Sequence, residues 1–441
     1  MRGLATLGTT LTLAIGITLS QATTATAADS LTDLGGDIPY GWGDTAVAAG
    51  KVFIGMEDRI VVTDTQGAVT ATMTGVSDVT SLVAAPDGSR VYAALRYEHQ
   101  VVEISPADLS IVRRFDLSAY ACPSRLALSG QWLWVSYSCA HYPTDGVISL
   151  DLAASTPQPV RLPLDIFEDV ELSAAGNTLL VRNDKLLRVY DIQGGVGTLR
   201  GTIDADDYNV YTWLDAVVTP DGSTAIVSPG YSGNDFDAWD LTTLTRIRSY
   251  GTGSHQLSVA VSPDGTRVAA SASAGQYQTP LLVVFDFNTG VKMETVAQPS
   301  ALQLLPPSLS FSGTELFAVA EGYPNVRHYY LWRLHGATLP PCKMTLTGPD
   351  TSGRFKKTTF TGQLTRPDGT TPGAQTVTVS RRSWGENNFE PLPDVTTNAD
   401  GTFTFTNVPG VETQWTYKVY YDNTADSRSC SASKVVEVSG W

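Results

Sequence analysis

The stretch "SPDGTRVAA", residues 262–270, is a tight turn that runs straight into a β-rich segment. Two near copies stand elsewhere, "APDGSRVYAA" at residues 85–94 and "TPDGSTAIVS" at residues 219–228. The turn chemistry is explicit. Proline presets φ at the first corner, aspartate accepts bonds from nearby backbone, and glycine enters the left-handed region without strain. A chain that writes the same turn before the same kind of strand is repeating a structural unit.

The repeat is wider than the Pro-Asp-Gly tripeptide. A strand, a turn containing glycine and a second apolar strand recur around Gly50, Gly88, Gly130, Gly176, Gly222, Gly265 and Gly313. These glycines are 38, 42, 46, 46, 43 and 48 residues apart. The segments after them are apolar and rich in β-branched residues: "KVFIG", "RVYAAL", "WLWVS", "TLLVR", "TAIVS", "RVAAS" and "ELFAVA". A third strand follows, often closing on aspartate, as in "RIVVTD", "GVISLD", "LLRVYD", "FDAWD" and "LLVVFD". These aspartates read as formers of the outer turn. A period of about 40 to 48 residues with four short strands per unit is the signature of a β-propeller. Seven units predict seven blades over residues 29–338. The last unit has three evident strands, and "SLTDLGG" from Ser30 is the candidate for its fourth, which would close the ring and cover an open sheet edge.

The "RVYAAL" and "RVAAS" strands after their Pro-Asp-Gly turns, together with "VVFDFNTG", resemble the YVTN/YncE-like propeller family, a relative of the WD40 class. The resemblance covers roughly residues 30–338 and implies a fold, not an activity. No literal Tyr-Val-Thr-Asn is present, and Trp239-Asp240 lacks the Gly-His partner of WD40 repeats.

Beyond Leu339 the repeat spacing stops and threonine rises. "TGQLTRPDGTTPGAQTVTVSRR" reads as strand, turn, strand, and "TTNADGTFTFTNVP" as a hairpin turning at Asp400-Gly401, with Phe403 and Phe405 facing a core. Six or seven short strands in residues 341–441 predict a β-sandwich. The motifs "DGTTPGAQTVTVSR", "NADGTFTF" and "YKVYYD" resemble the Ig-like repeat modules of exported bacterial proteins, which implies a spacer or adhesive unit. The expected fold class is therefore all-β, a seven-bladed propeller followed by an Ig-like sandwich.

The start of the chain places it outside the cell. Arg2, an apolar run over residues 11–19 and Ala25-Thr26-Ala27 form a secretory signal peptide over residues 1–28, cleaved near Ala27. The apolar run is too short to span a bilayer. The four cysteines then read as disulfides. Cys122–Cys139 and Cys342–Cys430 are favoured because each pair stays within one proposed domain. The chain carries −15, or −16 once Arg2 leaves with the leader. Residues 341–441 hold ten basic and ten acidic side chains, so the excess sits on the repeats. That sign disfavours nucleic acid and anionic membranes.

No Gly-x-Ser-x-Gly, His-Glu-x-x-His or P-loop occurs, and no cofactor or metal is expected. The aspartates of "DADDYN" from Asp204 lack an EF-hand's ligand spacing and read as a solvated loop. Propeller topology points to one face, where the loops between second and third strands meet the segments leading into the first strands. The loops supply Glu57, Asp58, Tyr97, His99, His141, Tyr142, Asn183, Asp184, Tyr231, Tyr277 and Tyr323. The lead-in segments supply Trp42, Asp44, Asp78, Arg125, Asp169, Trp213, Asp215 and His255. Together they predict an acidic bowl lined by Trp42, Tyr97, His99, His141, Tyr142, Trp213, Tyr231, Tyr277 and Tyr323, suited to a carbohydrate, a peptide or a cationic small molecule. The expected function is that of a secreted, monomeric, non-catalytic binding or scaffold protein. The alternative is a lyase- or lactonase-like propeller enzyme working through Asp215 and His255, supported by Asp169 or Asp44.

Overall fold

The computed structural model describes residues 29–36, 44–120, 122–139, 145–164, 170–229, 235–251, 255–273, 280–297, 302–305, 308–322, 328–386, 388–422 and 427–440. Residues 1–28, the expected signal peptide, lie outside these. The described chain is all-β apart from a single 3-10 turn, Ala205–Tyr208, in the "DADDYN" stretch.

Seven antiparallel sheets follow one another along residues 30–334, and each of the first six runs in simple strand order. Their innermost strands are Thr45–Ala48, Val79–Ala84, Pro123–Ser129, Glu171–Ala175, Asp215–Val218, His255–Val261 and Ser310–Ser312. Each innermost strand lies against the next, and Ser310–Ser312 returns to Thr45–Ala48. The architecture is a β-propeller.

The core explains the ring. A strand of a propeller sheet is buried on both faces, so its sequence is a continuous apolar run rather than an alternating one. "VYAAL", "TLLVR" and "TAIVS" are buried at every position. The apolar residues sort into clusters that each join two consecutive sheets. Phe53 and Val62 of the first sheet pack with Leu82 and Val102 of the second. The series ends where Val52, Ile54 and Val61 meet Phe317, Val319, Tyr329 and Leu331, joining the seventh sheet to the first.

Closure is completed by the N-terminus. Strand Ser30–Gly36 pairs antiparallel with His328–Leu334, from Ser30 opposite Arg333 to Gly36 opposite His328. The seventh sheet thus takes its outermost strand from the chain's beginning, as "SLTDLGG" predicts.

The Pro-Asp-Gly turns have the expected geometry. Asp264 Oδ1 accepts the Thr266 N–H at 3.0 Å and the Ser262 hydroxyl at 2.6 Å, while Gly265 sits at φ +69°. Asp87 and Asp221 accept from Ser89 N and Ser223 N in the same way. Asp64, Asp151, Asp240 and Asp286, at the ends of third strands, each accept backbone N–H groups two or three residues on. Asp191, the remaining member of that set, instead holds Arg200.

After the repeats, a three-stranded and a five-stranded sheet share one core that includes Phe360, Phe403, Tyr417 and Val436. One expectation fails here. The strands on either side of Asp400-Gly401, Glu390–Thr396 and Thr402–Asn407, belong to different sheets. The turn therefore crosses between sheets and is not a hairpin. Thr402–Asn407 pairs with Thr358–Thr365 instead, where the missing side chain of Gly362 leaves room for the Phe403 ring. Phe403 and Phe405 do face the core.

Both disulfides form as expected, Cys122–Cys139 and Cys342–Cys430. At the junction of the two regions the Arg428 guanidinium, 2% exposed, pairs with Asp29 at 2.9 Å and donates to the His335 carbonyl.

Candidate functional site

Backbone hydrogen bonds stitch the lead-in segments to the second-to-third loops, so these elements share one face. Asp78 N–H donates to the Glu57 carbonyl, Arg96 N–H to Asp78, Trp213 N–H to Asp184, and Ser138 N–H to Cys122. The Cys122–Cys139 bridge lies on this face, joining the lead-in and the loop of the third sheet. Two of these bonds, from Asp78 and Trp213, rest the segment leading into one sheet on the loop of the sheet before it, and the other two tie a loop to the lead-in of its own sheet.

Two of the expected mouth carboxylates are staples, Asp215 buried and Asp44 partly buried. Asp44 Oδ1 accepts from its neighbour Thr45, and Oδ2 accepts the Leu82 N–H of the second sheet at 2.8 Å. Asp215 does the same one side of the ring further on, taking Ala216 N–H at 2.8 Å and Val259 N–H of the sixth sheet at 2.9 Å. Hydroxyls do the equivalent work at Ser81, which accepts Leu126 N–H, and at Ser173, which accepts Val218 N–H. An innermost strand has no hydrogen-bonding neighbour strand on its inner edge, so these side chains satisfy backbone donors that would otherwise be buried unpaired.

Burial pushes the Asp44 carboxyl up to about 6, against the lowering effect of the Leu82 N–H and of Arg125. It pushes Asp215 up to about 7, with the nearby Glu171 charge adding to the rise and Arg182 opposing it. Between these two carboxyls runs a chain of alternating charge. Arg125 Nε stands 2.8 Å from Glu171 Oε1, and its Nη1 donates to the Thr80 carbonyl at 2.7 Å. Arg182 Nη2 stands 3.6 Å from the same Glu171 oxygen, and its Nη1 donates to the Trp213 carbonyl at 2.5 Å. Glu171 and Arg182 escaped the sequence reading. Each looks like an ordinary strand-end residue, and only the ring brings them beside Arg125.

Trp213 is corrected outright. It is fully buried, edge-on to Trp239 at 6.2 Å between ring centroids, and its indole N–H donates to the Lys185 carbonyl at 2.9 Å. It is a core residue of the fourth and fifth sheets and offers no face to a bowl. His99 is at the surface junction, where Nδ1 accepts the Cys122 N–H at 3.0 Å and so braces the third sheet. Asn183 caps its own turn by accepting from Lys185 and Leu186. Tyr97 is 67% exposed on the expected face. The Arg96 guanidinium lies 6.0 Å from its ring centroid, and Asp78, bonded to the Arg96 backbone, has Glu57 and Glu98 as charged neighbours. Burial, and then the charges of Glu57 and Glu98, raise the Asp78 carboxyl above its ordinary range. Arg59 pairs with Asp58 at 2.7 Å, and Arg114 reaches Glu98 at 3.5 Å.

Trp42, His141, Tyr142, Asp169, Tyr231, Tyr277 and Tyr323 lie outside the described residues, as does the side chain of His255. Among the described residues, no three His, Cys, Asp or Glu side chains come together as a metal site. No described helix is long and apolar enough to cross a membrane.

No family model matches the chain, and no curated protein matches it. Solved structures do. A chain of the mitotic checkpoint complex, a WD40-type propeller, is similar at 14% identity and a TM-score of 0.54, over 76% of this chain and all of that one. A chain of hydrazine synthase from Kuenenia stuttgartiensis is similar at 15% identity and a TM-score of 0.42, over 57% of this chain and 78% of that one. At this identity the first likeness shows the propeller fold alone.

Proposed function

We propose that the protein is a secreted, non-catalytic binding or scaffold protein. In this reading residues 29–338 form a seven-bladed propeller of YVTN/YncE-like type, and residues 341–441 form an Ig-like sandwich acting as spacer or adhesive module. Seven consecutive sheets with a closed run of inter-sheet cores support the blade count. Two disulfides fit an extracellular setting.

The observation that carries the non-catalytic reading is the use made of Asp44 and Asp215. A general acid or base must reach a substrate proton. Both of these carboxyls already hold backbone N–H groups of the next sheet, Asp215 buried and Asp44 partly buried. Among the described residues of that face, Tyr97 is exposed with the Arg96 guanidinium 6.0 Å from its ring centroid, and Asp78 has the charges of Glu57 and Glu98 close by. Carboxylates that repel one another are relieved by a cation, and an exposed ring adds a cation–π surface. The ligand class is therefore a cationic peptide or small molecule, with weakened binding at high salt. Titration of the purified mature chain with Lys- and Arg-rich peptides tests this. Binding lost in Tyr97→Ala and Glu57→Gln supports it; no salt-sensitive binding to any cationic probe overturns it.

One observation favours the lyase- or lactonase-like alternative: Asp215 sits near neutral, where a proton can move either way. Turnover of lactone or uronate substrates that is abolished by Asp215→Asn would establish it.

A further inference from the structure

The antiparallel topology puts the Pro-Asp-Gly hairpins and the third-to-fourth turns at the far ends of the sheets, on the face away from Tyr97. There, between the third and fourth sheets, lies a cleft of about 430 Å³. This falls in the range of small-molecule sites, roughly 300–1,000 Å³. Its lining includes Trp132, Trp134, Gln131, Asn177, Gln193 and Gly195, and no charged side chain.

The cleft is built, not incidental. Trp132 and Trp134 are two apart on strand Trp132–Tyr137, so both face the fourth sheet. The Ser149 hydroxyl donates to the Gly195 carbonyl at 2.6 Å and the Ser129 hydroxyl to the Gly176 carbonyl, so both turns of the fourth sheet are tied to the third. A Cβ at Gly195 would stand 2.2 Å from the Trp132 ring, so that ring needs glycine beneath it. Trp134, two residues on, is fully buried and packs beneath the cleft in the core between the third and fourth sheets.

We infer that this cleft binds a neutral saccharide of one or two rings. Two neutral amides, Asn177 and Gln193, supply both donors and acceptors, which is what a polyol presents in return; Gln131 already donates from Nε2 to Asp151 Oδ1 at 2.8 Å and keeps its carbonyl oxygen as an acceptor. The Trp132 ring offers an apolar face for the C–H side of a sugar ring. The absence of charge from the lining disfavours phosphates, uronates and amines. This site is independent of the acidic, cation-binding surface proposed on the other face.

The experiment is a neutral-glycan array probed with the full mature chain, followed by calorimetry on the best hit. Trp132→Ala is expected to weaken binding about tenfold or more, and Asn177→Ala, a surface variant with little bearing on folding, about fivefold. In ¹⁵N spectra the Trp132 indole resonance should shift on saturation. Tyr97→Ala should leave the affinity unchanged. The inference is overturned if no neutral glycan binds, if binding survives both Trp132→Ala and Asn177→Ala, or if Tyr97→Ala abolishes it.

Discussion

Asp215 provides a quantitative test of the staple between the fifth and sixth sheets. Its carboxyl titrates near 3.8 when exposed and at about 7 when folded. Between those values the folded chain holds a proton that the unfolded chain has released. Stability therefore falls as pH rises through that window, is fully present below about 4, and levels off above about 7. At 1.36 kcal/mol per pH unit the whole interval corresponds to about 4 kcal/mol, with a limiting slope of about 1.4 kcal/mol per unit. Proximity to Glu171 spreads the release over a wider range. Other groups titrate too, so the measurement is a difference. Urea unfolding of wild type and Asp215→Asn, disulfides intact and ionic strength fixed, is followed from pH 4.5 to 8. The amide keeps one oxygen acceptor and loses the titration, so its own cost enters as an offset independent of pH. The wild-type advantage should shrink by a few kcal/mol across the series. Parallel curves would refute the reasoning, because they would mean that this carboxyl does not change its proton affinity on folding.

Deleting Ser30–Gly36 removes a six-pair ladder and leaves His328–Leu334 as a bare edge; the variant should lose several kcal/mol and self-associate, seen by calorimetry and light scattering. Gly222→Ala places a methyl 2.8 Å from the Ala175 carbonyl at φ +75° and should cost about 1–3 kcal/mol in urea unfolding. Asp264→Ala removes the acceptor for Thr266 N–H and should cost about 1 kcal/mol while leaving any ligand affinity on the opposite face unchanged by calorimetry. Cys342→Ser with Cys430→Ser opens an 88-residue loop and should lower the melting temperature, with a loss of about 3–5 kcal/mol in the C-terminal unit.

What could be read from sequence was local or countable. Asp264 and Gly265 declare a turn because the bonds that make it span two residues. Ser30–Gly36 was legible by subtraction, since the last unit lacked one strand. The disulfides followed from keeping each pair inside one domain. The failures share the opposite property. Trp213 is adjacent to a surface loop in sequence, but the direction of its ring is set by Trp239, which lies two strands further on, in the sheet that Trp213 leads into. Glu171 and Arg182 face each other across one hairpin of the fourth sheet, and Arg125 reaches them only because consecutive sheets stand side by side. Asp400-Gly401 has the composition of a hairpin turn, yet the partner of the following strand is chosen by how Phe403 packs over Gly362.

The strand that seals the ring also sets the order of assembly. Ser30–Gly36 is among the first segments to be synthesised, and its partner His328–Leu334 arrives some three hundred residues later. The intervening sheets can form as they emerge, each on its predecessor, because their contacts are short-range along the chain. The final zippering cannot, and it is the step of greatest loop-closure cost. Until then the leading segment is an unpaired strand and the trailing sheet an open edge. The interval in which the chain is complete but unsealed is therefore when mispairing with a second copy is easiest, and a delay in the last strand would be felt as aggregation before it was felt as lost stability.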